Sequence, residues 1–312
     1  NNQLPFFRTL HSLCFFQLGL SKDSVMNGRD FNDLNQKLNL RLTGSISSDD
    51  GHVSGISKDD RLMFIENLAR MRQISLESQW HDSDDVVGWF ELERFANGLR
   101  LFKNDRLLID YTDMLQLFLD RGRAPRLDVM FVDEAQDLSP LQWAVVRKLC
   151  ESADRIYIAG DDDQAIYRWA GADVDYLIRN SKDAMVLKQS YRIPKSIHTL
   201  AERCIGQVAS RVQKTWNPRK EAGHVSWEKS YESIDMETGD WLVLARTNYL
   251  LNGIEEHCRS EGWFYKTKNR NSVSEKKVKA VRDWETLRKG GEIHLVDLIK
   301  VLNYMRVSVP TS

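Results

Sequence analysis

Apolar positions along this chain change their period partway through. From Phe31 to about Phe102 they recur every three or four residues, and "SKDDRLMFIENLARMRQ" opens on a serine with aspartates in the next turn, which predicts a capped helix. "DDVVGWFELERFANGLRLF" repeats the pattern, so the stretch reads as an all-helical unit. The Ser-, Asp- and Gly-rich "TGSISSDDGHVSG" (Thr43 to Gly55) between the early helices reads as a mobile loop. Beyond the helical unit, "DVMFV" (128–132) and "RIYIA" (155–159) are short β-rich runs separated by the helical "SPLQWAVVRKLCES". Such alternation predicts an α/β fold whose parallel sheet is covered on both faces. "AMVLKQ" before the helical "PKSIHTLAERCIGQV" extends it, and "WLVLARTNYLLNGIEEHCRSEGWFYKT" predicts another strand–helix–strand unit.

Composition narrows the class. The 312 residues are 42% hydrophobic and 29% charged, enough for a sizeable core in roughly two or three domains. No apolar run approaches the roughly 18 residues of a membrane span, and the first residues show no basic-then-apolar signal pattern. Cys14, Cys150, Cys204 and Cys258 lie far apart, which predicts reduced core thiols and a cytoplasmic setting. Most of the nine tryptophans read as core. The net charge of −1 hides an asymmetry: residues 1–210 carry −5 and residues 211–312 carry +4. Within the basic third, residues 266–289 hold nine basic and three acidic side chains, which could follow phosphates or form a solvated helix face.

Two constellations carry chemistry. In "VMFVDEAQDLSP", Asp133 and Glu134 stand where a buried strand ends, the position at which open α/β sheets bind ligands. A strand-end carboxylate suits Mg²⁺, which keeps most of its waters and accepts one or two protein carboxylates beside phosphates. Glu134 could then orient or deprotonate a water. The alternative is a helix start whose acids favour the dipole. In "IYIAGDDDQAIYRWAGAD", three adjacent carboxylates repel one another, so the run is either a solvated loop or is neutralised by something bound. This run follows the next strand, so both acid clusters are expected on one edge of one sheet. A bound metal and its phosphate would account for the triple acid, with Gln164 as a neutral donor.

Together, "VDEAQDLSPLQ", "IAGDDDQAIYRWAGAD" and "VLKQSYRIPKSI" resemble motifs II, III and IV of the UvrD/Rep family of superfamily-1 DNA helicases, in order and approximate spacing. "RTLHSLCFFQLGL" is similar to the family's Thr-Phe-His-Ser motif, and "LLIDYTDMLQLFL" to the segment before motif II. The resemblance implies a parallel-sheet, RecA-like motor domain of the P-loop NTPase type. Domain 1A would comprise residues 1–10 and 106–188, with a helical insert 1B over 11–105. Part of a second RecA-like domain, 2A, would cover 189–290, and a helical 2B insert would begin at 291–312. It also implies an ATP-dependent 3′→5′ single-stranded DNA translocase. Asp133 would bind Mg²⁺, Glu134 would activate water, Gln164 would sense the γ-phosphate of ATP, Arg192 would be the arginine finger and Tyr191 would stack on adenine. Trp169 would stack on a base of single-stranded DNA, with Tyr167, Thr9 and His11 along the same track.

The sequence departs from the family in lacking any G-x-x-x-x-G-K-[ST] phosphate loop, and Ala170 stands where the family usually has arginine. The expectation is a fragment without the first strand and phosphate loop of 1A and without the end of 2A, inactive as an ATPase by itself. Other readings remain open at this level: the motor of a RecB-like helicase-nuclease, a non-catalytic DNA-binding or scaffold homologue, or a metal-dependent nuclease using the acid clusters.

Overall fold

A computed structural model describes residues 6–43, 45–46, 53–54, 57–83, 87–267 and 271–305. The chain divides into two compact units, Asn1–Gly223 and His224–Ser312. The first opens with α1 (Leu10–Gln17) and α2 (Gly28–Leu38), then a two-residue antiparallel ladder of β1 (Ser45–Ile46) on β2 (Val53–Ser54). That ladder falls inside the stretch expected to be a loop, of which residues 44, 47–52 and 55 lie outside the described residues.

Helices α3 (Lys58–Arg72), α4 (Leu76–His81) and α5 (Trp89–Arg106) follow, as the apolar period predicts. Ser57 caps α3: its hydroxyl accepts from Asp60 N at 3.0 Å, and the Asp60 carboxylate accepts from Ser57 N at 2.8 Å. Leu62, Ile65, Leu92, Phe95, Leu99 and Phe102 form one buried cluster between these helices. Beneath it α6 (Tyr111–Arg121) carries ions inward. Asp110 is bonded by Arg70 at 2.8 and 3.0 Å and by Lys103 at 2.6 Å, and Glu66 pairs with Arg70 at 2.9 Å. The Arg70 and Lys103 cations hold the Asp110 carboxyl well below its usual range despite burial, whereas burial pushes Glu66 up.

The sheet consists of β3 (Leu127–Val132) and β4 (Ala153–Ile158), parallel and in register from Leu127 opposite Ala153 to Val132 opposite Ile158. The crossover α7 (Pro140–Cys150) starts where proline occupies the first turn and Ser139 forms a capping box with Gln142. Its Leu141, Val145 and Val146 pack with Met130 and Val132 of β3, Leu115 and Phe118 of α6, and Cys14 of α1. Helices α8 (Val174–Asn180) and α9 (Lys195–Ile205) complete the unit. In the second unit lie α10 (Asn252–Ser260), α11 (Glu275–Arg288) and α12 (Leu295–Tyr304), the last two tied by Lys279 to Asp297 at 2.7 Å.

Several expectations are corrected. One face of the sheet is bare: Phe131 and Tyr157 are exposed and stack on each other at 5.1 Å. "AMVLKQ" and "WLVLAR" form no strand among the described residues, and Met185, Leu187, Leu242 and Leu244 are exposed. An extended run becomes a strand only through a ladder partner, and here only Gln189 finds one, an isolated bridge to Asn217. Of the nine tryptophans only Trp143 is buried, and Cys204 is exposed rather than core. Cys14 is a core thiol, its pKa pushed up to about 12 by burial. Among the described residues no helix is long and apolar enough to cross a membrane.

Candidate functional site

The two acid loops leave neighbouring parallel strands, as their spacing predicts. Val132 O accepts from Ala159 N at 2.8 Å, and Ala159 O accepts from Ala135 N at 3.0 Å, so the ladder continues past both strand ends. Asp133 and Glu134 are exposed there. Asp133 accepts from the Glu134 N–H at 3.0 Å. Glu134 has φ 52° and ψ 41°, a left-handed conformation that costs a non-glycine residue about 1–2 kcal/mol. This turns its side chain toward the buried Gln136, whose Nε2 donates to Glu134 Oε2 at 2.6 Å.

Gln136 also joins the loops, because its Oε1 accepts from Asp161 N at 3.0 Å. The approach is close at Gly160: a Cβ there would stand 3.0 Å from Gln136 Oε1 and 3.3 Å from the Ala135 Cβ, so a side chain would push these neighbours back by a few tenths of an ångström. Asp161 in turn accepts from Gln164 Nε2 at 2.6 Å. Asp133, Glu134 and Gln164 are thus gathered on one sheet edge through Gln136 and Asp161. "DEAQD" contains Gln136, but nothing in its spacing marks it as the bridge.

The protein's own Lys214 and Arg211 offset two of the three charges of the triple acid, where the expectation was a bound metal and its phosphate. Lys214 Nζ lies 2.7, 2.5 and 3.0 Å from Asp161, Asp162 and Asp163. Arg211 grips Asp163 through Nε at 2.8 Å and Nη2 at 2.5 Å. Burial raises the Asp161 carboxyl, but the bonds from Lys214 and Gln164 outweigh it and bring its pKa below the ordinary value. Among the described residues no cluster of three or more His, Cys, Asp or Glu could close around a metal ion. The exposed Asp133 carboxylate nevertheless suits Mg²⁺, a cation that takes one or two protein oxygens and leaves the rest to water and phosphate.

Trp169 belongs to a single 3₁₀ turn, Arg168–Ala170, that rests on α3. Gly171 ends the turn at φ 98°, and a Cβ there would stand 2.8 Å from Leu68 Cδ1. One helical turn earlier, Phe64 lies under the indole. Trp169 is exposed, Tyr167 half-buried and Ala170 buried. Thr9 caps α1 by accepting from Ser12 N at 3.3 Å and is exposed. His11 is corrected to a core position, 2% exposed and edge-on to Tyr111 at 5.7 Å, so it does not face solvent beside Trp169.

Tyr191 and Arg192 are exposed on the segment before α9, where the Ser190 hydroxyl accepts from Arg192 N at 3.3 Å and Ile193 N at 3.1 Å. No hydrogen bond or ion pair brings the Arg192 guanidinium to Asp133, Glu134 or Gln164 among the described residues.

The model of the UvrD/REP helicase N-terminal domain matches residues 3–185. ATP-dependent DNA helicase PcrA of Bacillus subtilis is 28% identical over 208 residues, covering 62% of this chain and 26% of the relative. A probable DNA helicase II homolog of Rickettsia conorii is 26% identical over 310 residues, covering 80% and 46%. ATP-dependent DNA helicase srs2 of Schizosaccharomyces pombe is 32% identical over 160 residues, covering 50% and 17%. The chain spans less than half the length of these relatives.

Proposed function

We propose that this chain, which belongs to the UvrD/REP helicase family, carries the water-activating edge and a base-stacking surface of an ATP-driven 3′→5′ single-stranded DNA translocase. The observation behind the reading is the gathering of Asp133, Glu134 and Gln164 on one sheet edge through Gln136 and Asp161. At that edge ATP would supply the phosphoryl group, and Mg²⁺ would offset its charge. Asp133 offers the cation an exposed carboxylate, and Glu134 takes a proton from the attacking water at its Oε atoms. Gln164 would offer its remaining amide hydrogen to the terminal phosphate. Arg192 and Tyr191, exposed on their own segment, are the finger and the adenine-stacking ring. On the opposite task, Trp169 stacks a base of any identity, with Tyr167 and Thr9 assigned to the same track. In this reading residues 11–105 form the helical insert of the motor.

These 312 residues contain no phosphate loop, so neither a lysine nor a nest of amides offsets the triphosphate where the carboxylates repel it. The 312-residue chain alone therefore binds ATP weakly and shows no DNA-stimulated hydrolysis. Fluorescence anisotropy with a labelled oligonucleotide, run beside a phosphate-release assay, tests the reading. The expected result is salt-sensitive binding of single-stranded DNA without turnover. A chain that ignores the oligonucleotide at low salt overturns the DNA-motor reading, and robust turnover overturns the inactivity.

A further inference from the structure

Three successive aspartates gripped by two cations from about 50 residues farther along the chain form the strongest charge cluster near the candidate site. Arg211 and Lys214 are largely buried, with side chains 7% and 14% exposed. Asp162 is buried to a similar degree, and its second oxygen accepts from the Val212 N–H at 2.7 Å. Two cations against three carboxylates leave one net negative charge. Asp161, the most exposed of the three, also holds Gln164.

That bond decides how Gln164 is presented. An ionised carboxylate accepts only, so it selects the Nε2 end of the amide, fixes the flip of the side chain and leaves the second amide hydrogen for another acceptor. Lys214 sits on the other oxygen of the same carboxylate, at 2.7 Å from Oδ1 while Gln164 bonds Oδ2. The same strap reaches the other candidate segment. Ser190 N donates to Asn217 O at 2.9 Å, Arg219 N to Ile193 O at 2.9 Å, and Lys195 N to Glu221 O at 3.1 Å. Residues 211–222 are therefore bonded at one end to the loop of Gln164 and at the other to the segment bearing Tyr191 and Arg192.

We propose that Lys214 and Arg211 are positioning residues for Gln164, and that the strap 211–222 registers its loop against the Arg192 segment. The inference rests on the functional reading of Gln164 and Arg192, but the contacts it concerns can be tested without turnover. Removing the Lys214 charge leaves the three carboxylates with Arg211 alone, so the loop opens and the Gln164 amide loses its fixed orientation. Exchanging lysine for arginine keeps the charge and restores it.

The experiment uses nuclear magnetic resonance on the 312-residue chain, with the Gln164 side-chain amide pair identified by its loss in Gln164→Glu. In the wild type one amide proton is displaced downfield by its bond to Asp161. In Lys214→Met that displacement is lost, the Asp163–Ala165 amides exchange about tenfold faster, and the amides of Arg192 and Ile193 shift, while α3 and α7 keep their wild-type exchange. Lys214→Arg recovers all three signals. Gln164 signals unchanged in Lys214→Met overturn the proposal. So do changes confined to residues 211–216, a uniform loosening of the whole unit, or no recovery in Lys214→Arg. A Trp169→Ala chain with unaltered oligonucleotide affinity would count against the motor reading and leave this resonance test decisive on its own.

Discussion

The indole of Trp169 lies over the ring of Phe64, their centroids 6.0 Å apart and their planes 25° from parallel. Phe64 is partly buried against the helical cluster of α3 and α5, so it acts as a fixed floor for an indole that is 62% exposed. The gap is too small for a base to enter between the rings, so the proposed stacking would use the outer face of Trp169. Trp169→Ala is expected to weaken single-stranded DNA binding by about 1–3 kcal/mol with little dependence on base sequence. Phe64→Ala, which removes only the floor, should cost about 0.5–1.5 kcal/mol. Anisotropy titrations measure both, and an unchanged affinity in Trp169→Ala would reduce the pair to a packing contact.

The parts of this site that could be read in the sequence are those fixed by local signals. Ser57, Ser139 and Pro140 announce helix starts that the structure keeps, and the apolar runs ending at Asp133 and Gly160 become the paired strands. The neutralisation of Asp161–Asp163 was not legible, because it depends on Arg211 and Lys214, some 50 residues away, and no local pattern links them. The apolar runs at 184–188 and 241–245 misled for a related reason: strand propensity is satisfied only by a hydrogen-bonded neighbour, which the described residues do not provide. His11 sits in a motif that implies DNA contact, yet its burial beside Tyr111 follows from the packing of α1 on α6.

The ion network between α3, α5 and α6 should be costly to unbalance. Arg70 bonds Glu66, Asp110 and Asp113, and Lys103 bonds Asp110 and Asp113. Arg70→Met removes one of two cations facing three carboxylates. A loss of about 3–5 kcal/mol in unfolding free energy is expected from urea titration. A loss below 1 kcal/mol would mean that water already screens these groups.

The latch at Asp161 has a defined pH window. Lys214, Gln164 and the neighbouring Asp162 and Asp163 face this carboxyl, Arg211 holds Asp163, and the pKa of Asp161 in the fold is below the ordinary value. A depressed carboxyl gives stability that is present above the unfolded value of about 4 and lost as pH falls through the folded one. The Lys214 ammonium is shifted the opposite way: burial lowers its pKa, but bonds to the three aspartates raise it further. Its share is present below the ordinary lysine value and lost only as pH climbs past the folded value. The stability difference between wild type and Lys214→Met should therefore be flat from about pH 5 to 9 and shrink below about pH 4. Urea titrations across that range give the curve, and a difference that varies near neutrality would assign the latch to other groups.

Glu134 combines a functional assignment with an unfavourable backbone. Its left-handed φ of 52° would suit glycine, and what the side chain receives in return is the 2.6 Å bond from Gln136. Glu134→Ala loses that bond and keeps the strain, because alanine has the same Cβ. Glu134→Gly loses the bond and relieves the strain, so it should be more stable than Glu134→Ala by about 1 kcal/mol. Both variants remove the carboxylate proposed to activate water, so stability is separated from chemistry by comparing the two in urea titrations. Equal stabilities would show that the backbone at 134 relaxes out of the left-handed region, and Glu134 would then be held by its side-chain bond alone. A clear advantage for glycine would mark this as a position where the site keeps a carboxylate against the preference of its own backbone, with Gln136 carrying the strained turn across to Asp161 and the loop of Gln164.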